Sequence, residues 1–262
     1  RVAPTGLGAT PGWPRPASEI AKAANTSATV IRGLTEAGVL QPIAVQEDGP
    51  VAQPDPCRAG AVLSDAQAAA AGELVAAVDS GYSVTLLDGV TGSGKTEVYF
   101  EAIAAALRAD RQVIVLLPEI ALTADWLDRF KQRFGTPPLV WHSDVPMSLR
   151  RRNWRAVLRG EAKLVVGARS ALMLPYRDLG LIVIDEEHDP SFKQDEGVVY
   201  NARDMAVVRA HIEGLPVILA SATPSLETVN NVWRGKYRRL SLPERFAAAA
   251  LPTIRAIDMR SE

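Results

Sequence analysis

Between Val84 and Thr96 the chain reads Val-Thr-Leu-Leu-Asp-Gly-Val-Thr-Gly-Ser-Gly-Lys-Thr, an apolar run feeding a glycine-rich turn that ends in Lys-Thr at a helix start. Such a turn holds phosphate. Glycines at 89, 92 and 94 are expected to take positive φ values, so that the N–H groups of Gly89, Val90, Thr91, Gly92, Ser93 and Gly94 turn inward, and the helix behind them adds its positive dipole end. Lys95 would reach the β- and γ-phosphates of a nucleotide and the Thr96 hydroxyl would ligate Mg²⁺. A second acidic set follows the apolar run Leu181-Ile-Val-Ile184: Asp185, Glu186, Glu187 and His188. At the carboxyl end of a buried strand, Asp185 can hold Mg²⁺ and Glu186 can position or deprotonate an attacking water. A hydrolytic site needs both carboxylates, one on the metal and one facing the nucleophile.

These groups must be carried by strands and helices that bring distant residues together. From Ser64 onward apolar strands alternate with amphipathic helices: helix 64–78, strand 84–88, helix 96–108, strand 112–117, helix 121–134, then strands 139–142, 164–167, 179–185 and 217–221, with helices near 148–159, 202–213 and 225–234 between them. Continuous apolar strands bounded by helices imply a parallel sheet covered on both faces, a three-layer α/β/α domain of the RecA-like type over residues 61–262. Ahead of it, residues 1–16 are rich in Pro and Gly and read as an irregular lead-in. Residues 17–48 hold two short helices, the first capped by Ser18 and the second running from Ser27 with Val30, Ile31 and Leu34 on one face and Gly38 as its stop, and then a strand. That order resembles a winged-helix module, but between Pro14 and Gly49 three basic residues (Arg15, Lys22, Arg32) stand against four acidic ones (Glu19, Glu36, Glu47, Asp48), which favours a spacer or protein-contact role over DNA reading. Residues 49–60, with Pro50, Pro54 and Pro56, form an extended linker.

Composition narrows the class. With 262 residues, 47% hydrophobic and 23% charged, the chain is ordinary globular material. A net charge of −1 gives no global attraction to nucleic acid, so any DNA contact must be a local groove. Cys57 is the single cysteine, which excludes an internal disulfide, and the three histidines lack metal-ligand spacing, so no structural zinc site is expected in this chain. The apolar runs are too short for a bilayer and no secretory signal precedes them, which makes the cytoplasm the expected compartment. The chain opens without Met and stops just after a strand-like run, and is read as a fragment of a longer protein.

Asp185-Glu-Glu-His188 together with Ser221-Ala-Thr223 resembles motifs II and III of superfamily 2 helicases. More narrowly, Gly89-Val-Thr-Gly-Ser-Gly-Lys-Thr-Glu-Val-Tyr99, Leu116-Leu-Pro-Glu-Ile-Ala-Leu-Thr123, Trp141-His-Ser143, Gly167-Ala-Arg-Ser-Ala-Leu172, Asp185-Glu-Glu-His-Asp189 and Ser221-Ala-Thr-Pro-Ser225 are similar to the PriA-type primosomal helicases that reload stalled replication forks. The resemblance covers roughly residues 17–258. It implies ATP-driven 3′-to-5′ DNA unwinding, with ATP and Mg²⁺ bound at this lobe, a second lobe and zinc-binding cysteines downstream of it, and primosome proteins and single-strand-binding protein as partners.

Residue by residue, the resemblance implies that Gln67 reads adenine, that Thr123, Arg169 and Ser170 grip the DNA strand, and that Phe192, Lys193, Tyr200 and Arg203 form an aromatic-rich loop coupling bound single strand to the ATP site. His188, Ser221 and Thr223 would carry that coupling. Plainer readings stand beside these: Gln67 as a residue of a helix first turn capped by Ser64, Arg169 as a surface ion pair, the loop aromatics tucked into the core. Asn201 stands where the family pattern has a histidine, so no ring contact is expected there. Arg150, Arg151, Arg152, Arg155 and Arg159 with Trp154 form either a solvated helix face or a DNA track. Two readings of other classes are a nucleotide-dependent binding module for DNA or a primosome partner without turnover, and a metabolic P-loop kinase.

Overall fold

The computed structural model describes residues 2–4, 15–43, 51–118 and 124–245. The chain divides into two compact units, residues 1–50 and 51–262.

In the first unit, strand β1 (Val2–Pro4) and the helices α1 (Ala17–Ala23) and α2 (Ala28–Glu36) precede strand β2 (Leu40–Pro42), and β1 pairs antiparallel with β2. The lead-in is therefore not wholly irregular. A three-residue strand is too short to show a period of two, and Val2 is also bridged to Arg15, its N–H donating to the Arg15 carbonyl at 2.9 Å. Val2, Ala21, Ile31 and Leu40 form the small core. Pro16, not Ser18, occupies the N-cap of α1, and no side chain caps it. On α2 only Ile31 is buried; Val30 and Leu34 are exposed, so the apolar face read from the sequence is wider than the face this unit covers. Gly38 takes φ +75° just past α2, as a helix stop requires. Residues 44–50 lie outside the described residues.

The second unit begins with a segment, 51–60, that has no regular structure yet is tied down: Asp55 N–H donates to the Phe134 carbonyl at 2.9 Å and the Gln53 amide to the Glu161 carbonyl at 2.9 Å. Then come α3 (Asp65–Val78), β3 (Ser83–Gly89), α4 (Lys95–Arg108), β4 (Gln112–Leu116), α5 (Ala124–Phe134), β5 (Leu139–Trp141), α6 (Met147–Leu158), β6 (Leu164–Gly167) and β7 (Leu179–Asp185). A short hairpin, β8 (Lys193–Gln194) and β9 (Tyr200–Asn201), leads into α7 (Ala202–Glu213), β10 (Pro216–Ser221), α8 (Leu226–Trp233) and β11 (Arg238–Leu242).

Among the described residues seven strands form one sheet in the order β11-β3-β10-β7-β4-β6-β5, every pair parallel. Alternate residues of each strand enter opposite cores. Leu181 and Val183 of β7 join one core with α3, α4 and α5, while Ile182 and Ile184 join the other with α6 and α7. This is the three-layer α/β arrangement expected from continuous apolar strands. Phe100, Trp126, Phe130 and Phe134 interlock edge-on and stacked under α5, with ring centroids 4.5 to 5.9 Å apart. Each such ring contributes about 1.5–3 kcal/mol by burial, which fixes α5 against α4. No helix among the described residues is long and apolar enough to cross a membrane.

Candidate functional site

Parallel pairing aligns the carboxyl ends of the strands. Asp88 of β3 lies opposite Ser221 of β10, and Ala220 of β10 lies opposite Asp185 of β7, so three loops distant in sequence open at one edge of the sheet. That alignment needs no local signal; it follows from the strand order.

Of the three glycines expected to take positive φ, two do. Gly92 and Gly94 have φ +80° and +82°, but Gly89 is not among the residues with positive φ. Gly89 is needed for space: a Cβ there would sit 2.5 Å from Ser93 Oγ and 3.0 Å from Leu242 Cβ. Lys95 is buried at the start of α4, and its ammonium donates to the Gly89 carbonyl at 2.9 Å. A cleft of about 410 Å³ is lined by Ala61, Leu63, Gln67, Lys95, Thr96, Arg129, Asp185 and Glu186 among others. A larger cleft, about 730 Å³, runs along the edge strand β5; His142 and Arg152 line it, and none of the residues assigned to nucleotide does. Arg129 closes one side of the smaller cleft, paired with Glu97 at 2.8 Å.

Asp185 is 8% exposed. Its Oδ2 accepts from the Tyr99 hydroxyl at 2.8 Å and its Oδ1 from the Glu186 N–H at 3.1 Å. Burial pushes its pKa above the ordinary carboxylate value and Glu186 adds to the rise, while the Tyr99 hydrogen bond and Lys95 oppose it. A cation arriving beside Asp185 would relieve that cost. Glu186 has φ +52°, a left-handed conformation that costs a non-glycine residue about 1–3 kcal/mol and turns its side chain out of the strand line into the cleft.

His188 Nδ1 lies 2.8 Å from Ser221 Oγ, and that hydroxyl accepts from the Thr223 N–H at 3.0 Å, so the ends of β7 and β10 are joined through the three residues expected to communicate. Glu187 turns the other way. It is buried and accepts from the Ser225 N–H at 2.7 Å, the Ser225 and Thr228 hydroxyls at 3.0 Å each, and the Arg203 guanidinium at 3.2 Å.

Two assignments in the aromatic-rich loop are corrected. Phe192 is 1% exposed and packs in the core beneath β7, so its ring offers no face to a base. Arg203 is also buried and its guanidinium is occupied by Glu187, Asp204 and Ser225, which makes it a structural cation rather than a phosphate grip. An aromatic and an arginine in one loop suit stacking and burial equally, and only the register with the sheet decides. Lys193 is exposed and paired with Asp195 at 2.9 Å; Tyr200 is half-buried against the same core. Asn201 caps α7, accepting from the Arg203 N–H at 3.0 Å, a local role for the residue that departs from the family pattern. Arg169 donates to the Lys193 carbonyl at 2.5 Å, joining its strand end to the hairpin, and Ser170 beside it is exposed.

Gln67 completes a capping box with Ser64 and donates to the Ser93 carbonyl at 2.8 Å, so its amide links the α3 cap to the phosphate loop. Thr123 lies outside the described residues. On α6, Arg150 stacks over Trp141 at 5.0 Å, and Arg159 at the C-cap of that helix faces Glu161 at 3.8 Å. Sequence reasoning missed Tyr99, Trp126 and the hub role of Glu187. Tyr99 could have been found from its spacing, four residues after Lys95 on one helix face.

The profile of the DEAD/DEAH box helicase family matches residues 65–232. The chain is 51% identical over 178 residues to the replication restart protein PriA of Rickettsia conorii, covering 68% of this chain and 28% of that protein. It is 40% identical over 254 residues to PriA of Bacillus subtilis, covering 94% of this chain and 31% of that one, and 44% identical over 183 residues to PriA of Haemophilus influenzae, covering 70% and 25%. The chain thus spans about a quarter to a third of the length of these relatives. With a family match running from the first turn of α3 to the end of α8, over a phosphate loop, an acidic strand end and a Ser-Ala-Thr strand end that share one edge of the sheet, the chain belongs to the DEAD/DEAH box helicase family.

Proposed function

We propose that this chain is the ATP-binding lobe of a DNA helicase that restarts stalled replication forks. The observation that carries the reading is the common cleft: Lys95, Thr96, Asp185 and Glu186 line one space of about 410 Å³, although 89 residues of sequence lie between Lys95 and Asp185. The donor set suits MgATP. An ion here would be shared between the Thr96 hydroxyl, the Asp185 carboxylate and a nucleotide's phosphates. When bound, Mg²⁺ neutralises charge on the phosphate oxygens.

The chain's own groups do the rest. Lys95 would exchange the Gly89 carbonyl for phosphate oxygen; Thr96 and Asp185 would hold the ion; Glu186 would orient water. His188, Ser221 and Thr223 would pass the change between the two strand ends. Arg169, Ser170, Lys193, Tyr200 and Thr123 are proposed as the DNA side, by resemblance and by exposure where it is described. The finer parts of the proposal are 3′-to-5′ polarity, primosome proteins and single-strand-binding protein as partners, a cytoplasmic site of action, and a winged-helix role for residues 17–48. The 262 residues alone should bind nucleotide yet hydrolyse it near background, because the resemblance implies a second lobe whose arginine finger contributes roughly 10³–10⁵ in turnover in related chemistry.

Calorimetric titration with a nonhydrolysable ATP analogue tests the reading. Lys95→Ala should lose most affinity, by about tenfold or more, while Glu186→Gln binds normally and, in the parent enzyme, stops hydrolysis. Wild-type affinity in the Lys95 variant would refute the site. Normal binding with no DNA-stimulated hydrolysis in the parent would favour a binding module without turnover.

A further inference from the structure

Tyr99 is fully buried on α4, in an apolar core of aliphatic residues together with Phe100, Trp126, Phe130 and Phe134. Packing alone asks for no hydroxyl there, and a buried hydroxyl is unfavourable unless it is used. This one is used twice: it lies 2.8 Å from Asp185 Oδ2 and 2.8 Å from Trp126 Nε1. The indole N–H can only donate, so it takes a lone pair of the phenol oxygen and commits the phenolic proton to Asp185. Asp185 Oδ1 is fixed from the other side by the Glu186 N–H at 3.1 Å.

We propose that Tyr99 is a positioning residue for the carboxylate that holds the divalent cation, with Trp126 of α5 setting the direction of its hydroxyl. The inference rests on the nucleotide-site reading and deepens it. Groups that orient a metal ligand from behind typically change metal affinity about 10- to 100-fold when removed. Tyr99→Phe preserves the ring and deletes only the hydrogen bonds.

The test uses the 262-residue chain and a fluorescent ATP analogue, with affinity measured in EDTA and across a Mg²⁺ titration. Tyr99→Phe should raise the Mg²⁺ midpoint about 10-fold or more and leave the EDTA affinity within about twofold of wild type. Trp126→Phe should shift the midpoint the same way by less. A wild-type midpoint in Tyr99→Phe overturns the proposal; if that variant melts early, a wild-type midpoint in Trp126→Phe does so instead. Equal loss of affinity with and without Mg²⁺ would also overturn it, marking Tyr99 as structural. If the wild-type chain binds nucleotide with no Mg²⁺ dependence, or if Lys95→Ala binds as wild type, the site reading fails and the inference falls with it.

Discussion

Replacing Arg203 by Met would leave Glu187 as a buried carboxylate holding three of its four donors. The Glu187 side chain is 0% exposed and the Arg203 side chain 8%, so solvent screens their 3.2 Å pair very little. Removing one partner of a buried pair typically costs about 3–5 kcal/mol, because the remaining charge is uncompensated. The Ser225 N–H and the Ser225 and Thr228 hydroxyls stay on the carboxylate, which places the expectation near the lower end, about 3 kcal/mol. For a unit of this size about 2–4 °C of melting temperature accompanies each kcal/mol, so a fall of roughly 6–12 °C is expected by thermal circular dichroism. The pair Arg203→Met with Glu187→Gln, which removes both charges, should recover at least about 1 kcal/mol of the loss, since replacing a whole buried pair by neutral groups is often nearly neutral. Nucleotide affinity should change little in either variant. A melting temperature within about 2 °C of wild type for Arg203→Met, or strictly additive single and double variants, would refute the buried-pair reasoning.

Asp185→Asn should melt at or above the wild-type temperature at neutral pH while losing Mg²⁺-dependent binding. The raised carboxylate pKa means that the folded state binds the proton more tightly than the unfolded chain, so stability contributed here falls as pH rises from the ordinary carboxylate range through the raised value. The advantage of the Asn variant should therefore vanish as pH drops below that window, and a pH-independent difference would contradict it. Gly89→Ala would place a Cβ 2.5 Å from Ser93 Oγ and 3.0 Å from Leu242, costing about 1–3 kcal/mol and weakening nucleotide binding, checked by melting and calorimetry; wild-type values in both would refute the close-approach account.

The phosphate loop and the acidic strand end were legible because each is local: a strand, a special turn and a helix start lie within a dozen residues. The order of apolar and amphipathic segments likewise announced the layered sheet. Long-range partnerships were not legible. Nothing near Arg203 says that Glu187 will sit beneath it, since that pairing depends on which strands are neighbours. Phe192 shows the same limit, for an aromatic ring suits both stacking and core. The revised role of Gly89 shows another: the residue is small because Ser93 and Leu242 come close, and Leu242 is brought there only by β11.

That last strand has a mechanical meaning. β11 runs parallel to β3, with Leu242 in register with Gly89, and the Val90 N–H donates to the Leu242 carbonyl at 3.3 Å. The chain therefore leaves this edge of the sheet at the phosphate loop itself. Tension along the strand axis would load five register pairs together in shear, whereas a sideways pull would peel the ladder from its Leu242 end. In the second geometry the first bond to open is the one to Val90, so a lateral force on the polypeptide past Leu242 would be felt in the nucleotide cradle before anywhere else in the sheet.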